Sequence, residues 1–72
     1  MLVFEKYLQL KEKSAAEDAI DNDELAEKYM DEAIELRNNY FTKSDWEELI
    51  AQSYGRAKYE YTRLMKQRFP ED

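Results

Sequence analysis

Residues 23–41, DELAEKYMDEAIELRNNYF, decide the fold class. Leu25, Tyr29, Ala33, Leu36 and Tyr40 recur at intervals of three and four, the period of one helical face. Ala26, Met30, Ile34 and Phe41 widen that stripe to about half the circumference, at about 100° per residue. A helix apolar over half its surface is expected to touch two neighbours. Asp21-Asn22-Asp23 precede it and favour turns and helix starts through side-chain bonds to backbone N–H groups. The spacing predicts a second helix over about 23–40.

Upstream, Val3, Phe4, Tyr7, Leu8 and Lys11 recur at helical spacing, and Ala15 and Ala19 continue one edge. Ser14 with Glu17 matches a capping box, which could divide this stretch into two short helices. No Gly or Pro intervenes, so one helix over about 2–19 is preferred.

Downstream, Thr42-Lys43-Ser44-Asp45-Trp46-Glu47 carries the strongest start signal. Ser44 with Glu47 matches a capping box, whereas Thr42 as the cap would let Phe41 staple onto Trp46. A third helix is expected from near residue 44 to about Arg68, with Phe69-Pro70 and the acidic Glu71-Asp72 behind it. Trp46, Leu49, Ile50, Ser53, Tyr54, Ala57, Tyr61, Leu64 and Met65 would share one face of a helix roughly 36 Å long.

The expected architecture is therefore all-α: one domain over residues 1–72, a small three-helix bundle with antiparallel neighbours and short loops. The alternative is a hairpin of helices two and three that pairs with a second copy. One Gly and one Pro in 72 residues argue against a turn-rich β protein. Chains of this length often need disulfides, metals or self-association, and there is no Cys for the first. Ten aromatic residues, six of them Tyr, suit a small core with a wet edge.

Composition also narrows the function. There is no His and no Cys, which removes the usual general base and the thiolate nucleophile or ligand. One glycine cannot build a phosphate loop. No enzymatic activity and no cofactor are expected. Asp21, Asp23 and Glu32 have the 1, 3, 12 spacing of a calcium loop, but Leu25 and Ala26 stand where a ligand and a Gly are required. No metal site is expected. No apolar run approaches the roughly 20 residues of a membrane helix, and Glu5-Lys6 interrupt any signal-peptide core. The expectation is a cytoplasmic protein without a membrane partner.

Two surfaces stand out. From Glu17 to Glu35 the chain carries nine acids against one base, Lys28. Glu24, Glu27, Asp31 and Glu35 cluster opposite the apolar stripe of helix two. They read as a patch for a basic partner, or as a solvated face with acids near a helix N-terminus. The last helix is locally basic through Arg56, Lys58, Arg63, Lys66 and Arg68. Ala51, Gly55, Tyr59 and Phe69 form a second strip on its outer side, where Ala51-x-x-x-Gly55 would admit a close backbone. Tyr59 lies between Arg63 and Lys66.

The leading expectation is a non-catalytic protein-interaction module: an inhibitor, adaptor or assembly subunit. It would dock through Glu24, Glu27, Asp31 and Glu35, through Ala51, Gly55, Tyr59, Arg63 and Lys66, or through both. The partner would be another protein, with a basic surface if the acidic face is used. The alternatives are nucleic-acid binding by the basic helix, which the net charge of -6 opposes, and a structural homo-oligomer.

Overall fold

The computed structural model describes residues 2–70. Met1 and the acidic pair Glu71-Asp72 lie outside the described residues. Every regular element among those described is helical: α1 (Val3–Ala19), α2 (Asp23–Tyr40), α3 (Lys43–Gln52) and α4 (Gly55–Arg68). They form two compact units, one ending at Phe41 and one beginning at Thr42.

The first unit is a helical hairpin. α1 and α2 pack together across the three-residue turn Ile20–Asn22. Residue 7 meets residue 41 and residue 14 meets residue 26, so the helices run antiparallel. The turn is a helix C-cap. Asn22 N–H donates to the Glu17 carbonyl (2.9 Å) and Asp21 N–H to the Asp18 carbonyl (3.1 Å), with Asp21 in the left-handed region at φ 61°. Asn22 Nδ2 also donates to Glu17 Oε2 (3.0 Å). The acidic turn thus works by closing α1, and no side-chain cap bond opens α2.

The core of the hairpin changes in size along its length. At the open end, Phe4, Tyr7 and Phe41 stack, with the Tyr7 and Phe41 rings edge-on at 5.1 Å. Toward the turn the buried positions are small: Ser14, Ala26 and Ala33, beside Leu10. The Ser14 hydroxyl donates to the Ala26 carbonyl of the facing helix (2.7 Å). That bond needs backbones in close approach, and it explains why Ser14 starts no new helix: α1 is continuous. The buried line Tyr7, Leu10, Ser14 is rotated from the expected stripe, and Ala15 and Ala19 face solvent. On α2 the core side centres on Ala26 and Ala33, which leaves Tyr40 and Ile34 exposed rather than in the stripe.

The second unit corrects the expected count of three helices to four. Thr42 is the cap of α3: its hydroxyl accepts from Asp45 N–H (3.2 Å) while the Asp45 carboxylate accepts from Thr42 N–H (3.0 Å). Trp46 and Leu49 are buried. The expected long helix then stops at Gln52. Ser53 Oγ donates to the Leu49 carbonyl (2.7 Å), the acceptor a continuing helix would give to Ser53 N–H, and that N–H donates instead to the Ile50 carbonyl (3.1 Å). Ser53 and Tyr54 are extended, and Gly55 comes next at φ +66°. A residue with a Cβ would meet about 1–2 kcal/mol of strain there. Gly55 therefore belongs to a helix boundary, and it is not a surface position within a helix. α4 packs on α3, contributes no buried residue, and leaves Tyr54 and Ala57 of the expected core face exposed.

Candidate functional site

The acidic row of α2 is placed by the hairpin. With Ala26 and Ala33 turned to α1, positions 24, 31 and 35 must face away at 100° per residue, and position 27 lies on the flank between that side and α1. Glu24, Glu27, Asp31 and Glu35 are all exposed. Together with Lys28 and Glu32 they line an open depression of about 370 Å³. The row spans about 16 Å along the axis. None of its four carboxylates makes a hydrogen bond or ion pair among the described residues. Glu24 and Lys28 are four apart, which favours the helix, whereas Glu27–Asp31 and Asp31–Glu35 are like-charge neighbours that each oppose it by a few tenths of a kcal/mol.

The basic surface sits on α4, which carries five bases and one acid. Tyr59, Thr62, Arg63 and Lys66 line a depression of about 190 Å³. Tyr59, within it, is 68% exposed. Arg63 Nη2 donates to Glu60 Oε2 (2.7 Å) and is held along the helix, and Thr62 Oγ1 donates to the Lys58 carbonyl (2.7 Å). The basic side of α4 is thus a defined aromatic position flanked by two cationic side chains.

The structure brings together Glu24, Glu27, Asp31 and Glu35, and separately Tyr59, Arg63 and Lys66. It does not form the strip expected from Ala51 and Gly55. Ala51 belongs to α3 and Gly55 opens α4, with extended backbone between them, so the pair lies on no common helix face.

One surface escaped the sequence reading. A groove between α1 and α2, about 550 Å³, is lined by Ser14, Ala15, Ala26 and Met30, with Asp18, Asp23 and Glu27 around them. Its sequence signal was the set of small residues Ser14, Ala15 and Ala26 on facing helices, since small side chains leave room above them. The three carboxylates Asp21, Asp23 and Glu32 do not converge. Asp23 and Glu32 are nine positions apart on α2, about 13 Å along its axis, too far to share an ion. No described helix is long and apolar enough to cross a membrane.

Comparison with family models, with curated proteins and with solved structures finds no match to this chain.

Proposed function

We propose that this chain is a non-catalytic protein-interaction module, acting as an inhibitor, adaptor or assembly subunit, and that its acidic α2 face docks a basic surface of another protein. The observation that carries this is the row Glu24, Glu27, Asp31 and Glu35, exposed along one side of the α1–α2 hairpin and without an ion pair among the described residues. A row of like charges on a fixed scaffold raises the encounter rate with an oppositely charged surface and sets its register. The absence of His and Cys leaves neither imidazole nor thiolate for acid-base or nucleophilic work, which favours binding over chemistry.

The test is affinity capture from a lysate of the native cell, with the wild type and with Glu27→Lys/Asp31→Lys/Glu35→Lys. These side chains are exposed, so circular dichroism should report an unchanged helical fold. The variant is expected to lose partners that the wild type retains at low salt and releases at high salt. Retention of the same partners by the variant at low salt would remove the acidic-face reading.

α4 supports a second reading, nucleic-acid binding, through Tyr59 beside Arg63 and Lys66. It ranks below the first because phosphate affinity needs a positive field and the chain carries a formal charge of -6. A gel shift with DNA duplex and single strand, with and without salt, decides it: no salt-sensitive shift ends this reading.

A further inference from the structure

The groove between α1 and α2 and the outer side of α4 are complementary in sign. Buried Ser14 and Ala26 line the bottom of the groove, with exposed Ala15 and half-exposed Met30 beside them; the Ser14 hydroxyl is already bonded to the Ala26 carbonyl, so the lining between the charges is small and mostly apolar. Asp18, Asp23 and Glu27 stand around that lining, with Lys11 the one base among them. Alanines in the lining leave space for a larger side chain from elsewhere. α4 alone among the four helices has no buried residue. Its outer side holds Tyr59 in one shallow depression with Thr62, Arg63 and Lys66. An exposed aromatic beside bases is the counterpart of a mostly apolar lining rimmed by acids. Aromatic anchors in pockets supply much of an interface's energy, and the surrounding charges set orientation.

We propose that the groove is filled by a second copy of this chain, with Tyr59 of one copy seated in the α1–α2 groove of another and Arg63 and Lys66 facing Asp18, Asp23 and Glu27. The proposal rests on the acidic-surface reading above, because Glu27 belongs to both the row and the groove rim. Charge complementarity selects this occupant. The groove lining holds three acids, Asp18, Asp23 and Glu27, against one base, Lys11, and α4 holds five bases and one acid, a formal +4. A second copy matches both surfaces at once, whereas an unrelated basic partner would leave α4 uncovered. Each copy carries one groove and one α4, so the contact either closes into a two-fold dimer or repeats head to tail. One helix face is small beside the roughly 1,200–2,000 Å² of a standard interface. Association should therefore depend visibly on concentration and on salt.

Sedimentation velocity of the full chain over a range of concentrations, at low and high salt, tests this. Three variants accompany the wild type: Arg63→Glu/Lys66→Glu, Asp18→Lys/Glu27→Lys, and Tyr59→Ser. Circular dichroism melts check that each is folded. The wild-type mass should rise with concentration at low salt and fall toward the monomer at high salt. Each double reversal should weaken association about tenfold or more, as should Tyr59→Ser. An equal mixture of the two double-reversal variants should recover association, because an intact groove on one then meets an intact α4 on the other. A wild type that stays monomeric at every concentration at low salt overturns the proposal, as does association that survives all three variants. Salt-sensitive binding of a DNA duplex by a monomeric wild type, lost in Arg63→Glu/Lys66→Glu, also overturns it and assigns α4 to phosphate. A monomeric wild type whose captured partner is lost in Glu27→Lys/Asp31→Lys/Glu35→Lys overturns this inference alone and leaves the proposed function standing.

Discussion

Asp21 and Gly55 are the described residues with positive φ, at 61° and 66°. Asp21 lies in the turn that closes α1, and Gly55 is the first residue of α4. They sit there for different reasons, and opposite substitutions should separate them. Asp21 tolerates the left-handed region but carries a Cβ, so Asp21→Gly should stabilise the hairpin by about 0.5–1 kcal/mol in urea unfolding. A Cβ added at Gly55 would meet nothing within 4 Å, so any penalty there comes from the backbone alone. Gly55→Ala should destabilise by about 1 kcal/mol or straighten the Ser53–Tyr54 break into continuous helix. Circular dichroism distinguishes the two outcomes by an unchanged or increased helical signal. A substitution that leaves both stability and helix content unaltered would show that Gly55 does not occupy the left-handed region.

Helices were legible from the sequence to the extent that their ends were. α2 spans Asp23–Tyr40, the stretch its periodicity predicts, and α1 is the single helix that its uninterrupted helix formers favour. The stop after Gln52 was hidden because Trp46, Leu49, Ile50, Ser53, Ala57, Tyr61 and Leu64 keep a helical period straight through it. The period survives since two extended residues scarcely disturb the spacing of the apolar positions in α4. The missed signal was chemical: Ser53, Tyr54 and Gly55 in succession, a hydroxyl able to take a helix carbonyl just before the only glycine. The rotation of α1 toward Tyr7, Leu10 and Ser14 was hidden for a related reason. A serine scores as polar, yet here it is buried and bonded to the Ala26 carbonyl. Ser14→Ala should cost about 1 kcal/mol, because the Ala26 carbonyl keeps its position within α2 while the bond between helices is lost. Ala33 is fully buried and Ala57 is exposed. Ala33→Leu should therefore destabilise by about 1–3 kcal/mol through overpacking, and Ala57→Leu should be near neutral. Equal effects at the two alanines in thermal unfolding would contradict the assignment of the hairpin core.

At the scale of the whole molecule, charge is divided along the chain. Residues 1–41 carry eleven acids and five bases, and residues 42–72 carry six of each. That division was readable from composition, and so was the outward row on α2, because a helix with a known apolar stripe has a known opposite side. The α1–α2 groove was not readable. It exists only once two helices approach over small residues, and which small residues meet depends on the register of the hairpin. The strip through Ala51 and Gly55 failed because its spacing assumed a helix that the chain does not continue. The remaining α4 surface, Tyr59 with Arg63 and Lys66, lies within a single helix and so did not depend on that assumption. The exposed carboxylates of α2 are proposed to recognise a basic protein surface. The most direct measurement of that recognition is the Kd for a purified captured partner as a function of salt, for the wild type and for Glu27→Lys/Asp31→Lys/Glu35→Lys. The wild-type Kd should weaken about tenfold or more as salt rises, and the variant should bind weakly at every salt concentration. A wild-type Kd indifferent to salt, matched by the variant, would contradict that proposal.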